Sequence, residues 1–156
     1  CQQGHEIQGL GEQAVCVEQM TAKACRKELQ KIRETIGTVT EEPGVFFRIP
    51  GGEYNNEVLR TIYACGSYPV AWSVDSMDWK EYEASELVRQ LLQSCTIRDG
   101  EILRFHGEGE NTGEMVKLLH PRLKEEGYEA VTVSQMVYKD RYRMTTDGRQ
   151  IPEKSK

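Results

Sequence analysis

The stretch Val45-Phe46-Phe47-Arg48-Ile49-Pro50-Gly51-Gly52-Glu53-Tyr54-Asn55 decides the fold class. Val45 to Ile49 is an apolar run interrupted only by Arg48, the pattern of a strand buried on both faces. Pro50-Gly51-Gly52 stops it. Asn55 to Ala64 then reads as a helix with Val58, Leu59 and Ile62 on one face, closed by Gly66. A strand turning tightly into an amphipathic helix is half of a βαβ unit, and the same pattern recurs on either side. Upstream, after a short strand end at His5–Ile7, Thr21 to Ile36 reads as a helix carrying Leu29, Ile32 and Ile36 at three- and four-residue spacing. Thr21 is placed as its N-cap and Gly37 as its C-cap. Downstream, Pro69 to Val74 reads as a strand, Ser85 to Ser94 as a helix, and Ile102 to His106 as a strand. Thr112 to Glu126 reads as a helix that Pro121 should kink or split, and Ala130 to Val133 as a last strand. From Tyr138 the chain is polar, rich in Lys, Arg and Asp, and expected to fray.

Strands alternating with helices at this spacing imply a parallel sheet, hence one α/β domain. At 156 residues the chain has the length of one ordinary domain. Its net charge of −5 argues against a nucleic-acid platform, which needs a basic face for phosphates. No apolar run approaches the roughly 20 residues of a membrane-spanning helix. The five cysteines, Cys1, Cys16, Cys25, Cys65 and Cys95, form no CxxC pair. With only three histidines, a zinc site of Cys and His alone is not expected, and mostly buried free thiols are. The first residue is Cys1 rather than Met, which reads as a processed, cut or partial chain.

In folds of this class, chemistry gathers at the C-terminal ends of the strands. That rule selects Gly4–Gly11, Arg48–Asn55, Asp75–Trp79 and Phe105–Gly109. After Arg48, the two glycines bare backbone N–H groups near a helix start, where an oxyanion is favoured. The alternative is a loop that merely needs positive φ. Asp75-Ser76-Met77-Asp78-Trp79 places two carboxylates and an indole within five residues. They serve either as helix N-caps with Trp79 as packing, or as partners of the next strand end, His106. A carboxylate beside that histidine would hold its ring and equip it as a general acid.

Three segments in this order, FFRIPGGEYN, WSVDSMDWK and EILRFHGEGEN, resemble the last three motifs of the polysaccharide deacetylase family, the NodB-homology domain of carbohydrate esterase family 4. GHEI at Gly4–Ile7 resembles the opening of that family's second motif, and GYEAVTVSQM at Gly127–Met136 its last strand. The resemblance implies an α/β fold of the distorted (β/α) barrel kind, with the N-terminal strands missing from this chain. It implies a partial deacetylase-like domain over residues 1–137 and a polar tail over 138–156. The implied activity is hydrolysis of N- or O-acetyl groups on a chitin-like or peptidoglycan-like glycan, assisted by a divalent cation such as zinc or cobalt. Carried onto this sequence, Arg48 tunes a base, Gly51 supplies an oxyanion N–H, and Asp78 tunes the acid His106. Trp79, Tyr54 and Asp75 are the implied substrate-binding residues.

The departures shape the functional expectation. The family's first motif, which supplies an Asp base and an Asp ligand, has no counterpart. The two ligand histidines of the second motif fall on Leu10 and Ala14, and neither can bind a cation. Arg104 stands where an apolar pocket residue is common. No metal ligand and no cofactor are therefore expected in this chain. The leading expectation is a deacetylase-like domain inactive by itself but retaining a glycan groove; the alternatives are an enzyme completed by an upstream segment, or a non-catalytic glycan-binding or structural module. An open barrel edge would invite a homodimer. The family implies a place at the cell envelope or outside the cell.

Overall fold

A computed structural model describes residues 4–11, 21–40, 44–107 and 109–153. Three short strands make the first sheet: β1 (Gly9–Leu10), β2 (Phe46–Arg48) and β3 (Tyr68–Val70), in that order and all parallel. Gly9 pairs with Phe47, Leu10 with Arg48, and Arg48 with Val70. Helix α1 (Ala22–Val39) joins β1 to β2, and α2 (Asn56–Ala64) joins β2 to β3. A second parallel pair, β4 (Val74–Asp75) and β5 (Leu103–Arg104), is connected through α3 (Ala84–Ser94). Helix α4 (Thr112–Glu125) and the short α5 (Val133–Met136) follow. The last pair, β6 (Tyr142–Met144) and β7 (Gln150–Pro152), is an antiparallel hairpin.

Each parallel sheet has its own core. Cys25 and Leu29 of α1, Phe47 and Ile49 of the β2 segment, and Val58 and Ile62 of α2 form the first. Val74, four α3 residues, and Met115 and Leu119 of α4 form the second. Burying each such aliphatic side chain removes it from water at a gain of about 1.5–3 kcal/mol. The expected α1 and α2 faces are thus the ones buried. Thr21 does cap α1, its hydroxyl accepting from the Ala24 N–H at 3.3 Å, and Asn55 caps α2 through the Val58 N–H at 2.9 Å.

Several sequence expectations are corrected. The first strand lies at Gly9–Leu10, not His5–Ile7. Gly37 does not end α1: the helix runs on to Val39, where the Thr40 N–H and hydroxyl both donate to the Ile36 carbonyl at 2.9 Å. Pro69–Val74 is not one strand. β3 pairs with β2, but the Ser73 N–H donates to the Ile102 carbonyl at 3.1 Å and the Ser73 hydroxyl accepts from the Ile102 N–H at 3.0 Å, so the chain changes partner at Trp72–Ser73. Pro121 does not split α4; it sits on an exposed position inside a continuous helix. Ala130–Val133 is no strand, because Thr132 and Gln135 close a capping box that starts α5 instead. The tail does not simply fray: residues 142–152 form the hairpin, and Arg149 pairs with the nearly buried Glu101 at 3.0 Å.

Candidate active site

The loop after β4 is built around Asp78. Asp75 starts it by accepting the Met77 N–H at 3.0 Å, which holds Met77 at φ +55°, a conformation that side chains other than glycine seldom adopt. That turn directs Asp78 inward, where it is 1% exposed. Its carboxylate is fully engaged. Oδ1 accepts from the Ser76 hydroxyl at 3.0 Å and faces His106 Nδ1 at 2.7 Å. The His106 backbone N–H lies 3.0 and 3.1 Å from its two oxygens, and the Thr112 hydroxyl at the start of α4 donates to Oδ2. Burial alone would push this carboxyl up, but donors from Thr112, His106 and Ser76 outweigh it and hold the group at about 2.

An ionised carboxylate can only accept hydrogen bonds. His106 therefore carries a proton on Nδ1 and turns Nε2 away from Asp78. The ring is partly exposed, and Trp79 stands edge-on to it, 6.4 Å between centroids. Trp79 itself is 57% exposed. Gly109 lets the following loop close on this turn: a Cβ there would lie 2.4 Å from the Asp78 carbonyl oxygen.

A second group of side chains meets at the end of β2. Arg48 is partly buried, and its guanidinium lies 5.8 Å from the Trp72 ring centroid; that of Arg104 lies 4.0 Å from the same ring. Burial, then the nearby Arg104 charge, lowers the Arg48 pKa. Trp72 rests on the Pro50–Gly52 turn, since a Cβ on Gly52 would meet its ring at 2.9 Å. Gly51, at φ +69°, is exposed beside it. Asp75 approaches Arg104 at 3.5 Å.

The structure thus joins Asp78, His106 and Trp79 in one cluster, and Arg48, Asp75 and the Gly51 turn in another around Trp72. Tyr54 lies on the far side of that turn from Trp72. It lines a cleft of about 350 Å³ with Ile49, Gly52, Leu59, Tyr63 and residues of the C-terminal hairpin, so that Gly52 borders both places. Sequence reasoning missed Trp72, Ser76 and Thr112. Thr112 looks like an ordinary helix start, and Trp72 like strand filling; no local pattern marks either one. Arg104 stood out only as a departure.

A divalent cation does not fit the described residues. Leu10, paired with Arg48 across the β1–β2 register, presents an aliphatic and half-exposed side chain. Among the described residues no three His, Cys, Asp or Glu side chains converge. Glu6 is engaged by the Ser134 N–H and hydroxyl. Ala14 lies outside the described residues.

The polysaccharide deacetylase family model matches residues 1–70, the part that includes the GHEI segment and the Arg48 turn. The peptidoglycan-N-acetylglucosamine deacetylase PgdA of Listeria monocytogenes is 28% identical over 138 residues, 86% of this chain and 28% of its own length. Residues 1–70 thus match the polysaccharide deacetylase family, and the chain as a whole is similar to its members. A peptidoglycan-N-acetylglucosamine deacetylase of Bacillus cereus is 32% identical over 62% of this chain and 46% of its own. Among solved structures, a CE4 family pseudoenzyme from Bacillus anthracis superposes with a TM-score of 0.68 at 25% identity, over 76% of this chain and 41% of that one. The fold is the NodB-type α/β architecture, and the described strands form part of its distorted barrel. The chain spans less than half the length of each of these three proteins.

Proposed function

We propose that this polysaccharide deacetylase-like domain binds an acetylated glycan of chitin-like or peptidoglycan-like type, at the cell envelope or outside the cell, and does not by itself release acetate. The observation that carries the reading is an imbalance. The acid side of the site is assembled around Asp78 and His106, while the position beside Arg48 holds Leu10 in place of a cation ligand.

His106 can hold a proton on Nε2, with Asp78 fixing the ring, and protonate a departing amine. The N–H of Gly51, on an exposed turn, can face an oxyanion. An oxyanion donor is worth about 10²–10³ in rate, and acid–base assistance about 10²–10⁴. Neither activates water, a task a bound cation performs by lowering its pKa from about 16 to roughly 7. Aromatic faces with polar neighbours suit sugar rings, and Trp79 offers one at the mouth of the site.

The test pairs acetate release from N-acetylglucosamine oligomers with oligosaccharide binding by calorimetry, both with added Zn²⁺ or Co²⁺. We expect binding without turnover, weakened by Trp79→Ala. Metal-dependent acetate release abolished by His106→Ala would overturn the inactive reading. Absence of both binding and turnover would leave a structural module.

A further inference from the structure

The two oxygens of the Asp78 carboxylate are held differently. Oδ1 takes the Ser76 hydroxyl at 3.0 Å and faces His106 Nδ1 at 2.7 Å. The His106 backbone N–H is shared between both oxygens, at 3.0 and 3.1 Å. On Oδ2 the side-chain donor is the Thr112 hydroxyl. A carboxylate gripped by side chains at one oxygen alone can turn about its Cβ–Cγ bond, a torsion with broad, roughly twofold wells. A donor on the second oxygen closes that motion. Thr112 stands at the start of α4, 34 residues from Asp78 in sequence. Threonine hydroxyls at such positions commonly bond nearby backbone; this one leaves the helix for a buried carboxylate. Its place is fixed from two sides. Met115 and Leu119 of α4 are buried in the second core. The Asn111 amide donates to the Tyr82 carbonyl at 2.7 Å, tying the start of α4 to the segment that follows Asp78.

We propose that Thr112 is a positioning residue for the acid arm of the site: its hydroxyl fixes the plane of the Asp78 carboxylate, and through it the orientation of the His106 ring. The assignment rests on the acid role given to His106 above and deepens it. Branching at Cβ stiffens the Thr112 side chain about χ1, so the hydroxyl is held ready for Oδ2. With both oxygens occupied, the carboxylate presents Oδ1 to Nδ1 in one direction and leaves Nε2 pointing away from Asp78. The same contact acts on charge. Burial pushes the Asp78 carboxyl up, and Thr112, His106 and Ser76 bring it down to about 2. Among these partners His106 is the titratable group, while Thr112 and Ser76 are neutral donors. The packing of α4 is thereby coupled to the state of the acid.

The experiment is urea unfolding of the full chain at pH 5 and pH 2.5. Because the folded carboxyl sits below its free value, its contribution is present at pH 5 and is lost as pH falls toward 2. In the wild type, at about 2 folded against 3.8 free, that loss is about 15-fold in the folding constant between the two conditions. Thr112→Val keeps the shape and removes the donor. The Asp78 carboxyl should then rise by about one pH unit, and its share of the loss should fall to about fivefold. The stability gap between wild type and variant should therefore narrow about threefold from pH 5 to pH 2.5. Thr112→Ser, which keeps the hydroxyl, should behave like the wild type. A valine variant weaker by the same factor at both pH values would mark Thr112 as a helix-start residue and overturn the proposal; so would a serine variant that follows valine. A second measurement needs no variant. In the wild type the Thr112 hydroxyl proton should exchange with water slowly enough to give its own NMR resonance, and exchange as fast as that of surface threonines would overturn the clamp. Neither measurement involves a glycan, so failure here leaves the glycan reading untouched, and failure of glycan binding leaves this assignment standing.

Discussion

Asp78 is the residue on which the site depends, and its titration can be read as stability. A carboxyl held at about 2 when folded, against 3.8 when free, contributes roughly 2 kcal/mol to folding. The sign follows from the lowered folded pKa: that contribution is complete above about pH 4 and is lost as pH falls toward 2. Urea unfolding between pH 5 and 2.5 should show this loss, and Asp78→Asn should flatten the slope. A slope unchanged in the variant would assign the acid sensitivity elsewhere. Gly52 carries a second expectation. At φ +80°, with Trp72 at 2.9 Å from a would-be Cβ, Gly52→Ala should cost about 1–3 kcal/mol in urea unfolding; a neutral outcome would mean that Trp72 moves freely. At this scale the sequence singled out Asp78, His106 and Arg48 because each lies in or just after an apolar run, next to the turn or loop that follows it. Ser76 and Thr112 escaped notice because a hydroxyl that serves a buried carboxylate looks, in sequence, like any turn or cap residue. Trp72 escaped because its role depends on a turn some twenty residues earlier in the chain.

Among the elements, the long helices were readable. Of the strands, β2 and β5 lie inside the expected runs Val45–Ile49 and Ile102–His106, but the limits and partners of the strands were not readable. The buried faces of α1, α2, α3 and α4 follow a 3.6-residue period over 9 to 18 residues, enough to overdetermine them. The strands are only two or three residues long, and their partners decide where they start. No local pattern says that a chain will leave one sheet at Trp72 and join another at Val74. Pro121 offers a test of an element against its own sequence. Inside α4 it leaves the Lys117 carbonyl without a helical donor, on the solvent side. Pro121→Ala should therefore raise the urea midpoint, by an amount corresponding to about 1–2 kcal/mol. A drop would show that the proline sets a bend on which the packing of Met115 and Leu119 depends.

Across the whole molecule, two cores lie on either side of one seam. The first joins α1, β2 and α2; the second joins β4, α3 and α4. Trp72 and its two arginines sit where the chain passes from one to the other. Contacts that are dense within each core and sparse between them favour partial opening of one while the other holds. Leu29→Ala, which removes a buried side chain at a cost of about 2–5 kcal/mol, should speed amide hydrogen exchange in α1 and α2 well before α3 and α4. Uniform acceleration across all four helices would mean one cooperative unit. The family and its strand-to-helix rhythm were legible in the sequence, but this division was not, because it arises from which strands pair across long separations.

The placement of the two indoles has an optical consequence. The chain contains two tryptophans, and both stand at the candidate site: Trp79 edge-on to His106 and half open to solvent, Trp72 close to two guanidinium groups. Intrinsic emission excited at the red edge of the absorption band thus comes from this site and from nowhere else in the protein. Any ligand that covered Trp79 would remove water from one emitter, and any change of charge near Arg48 and Arg104 would alter the electric field across the other. The molecule carries its own pair of dyes, one tuned to contact and one to charge.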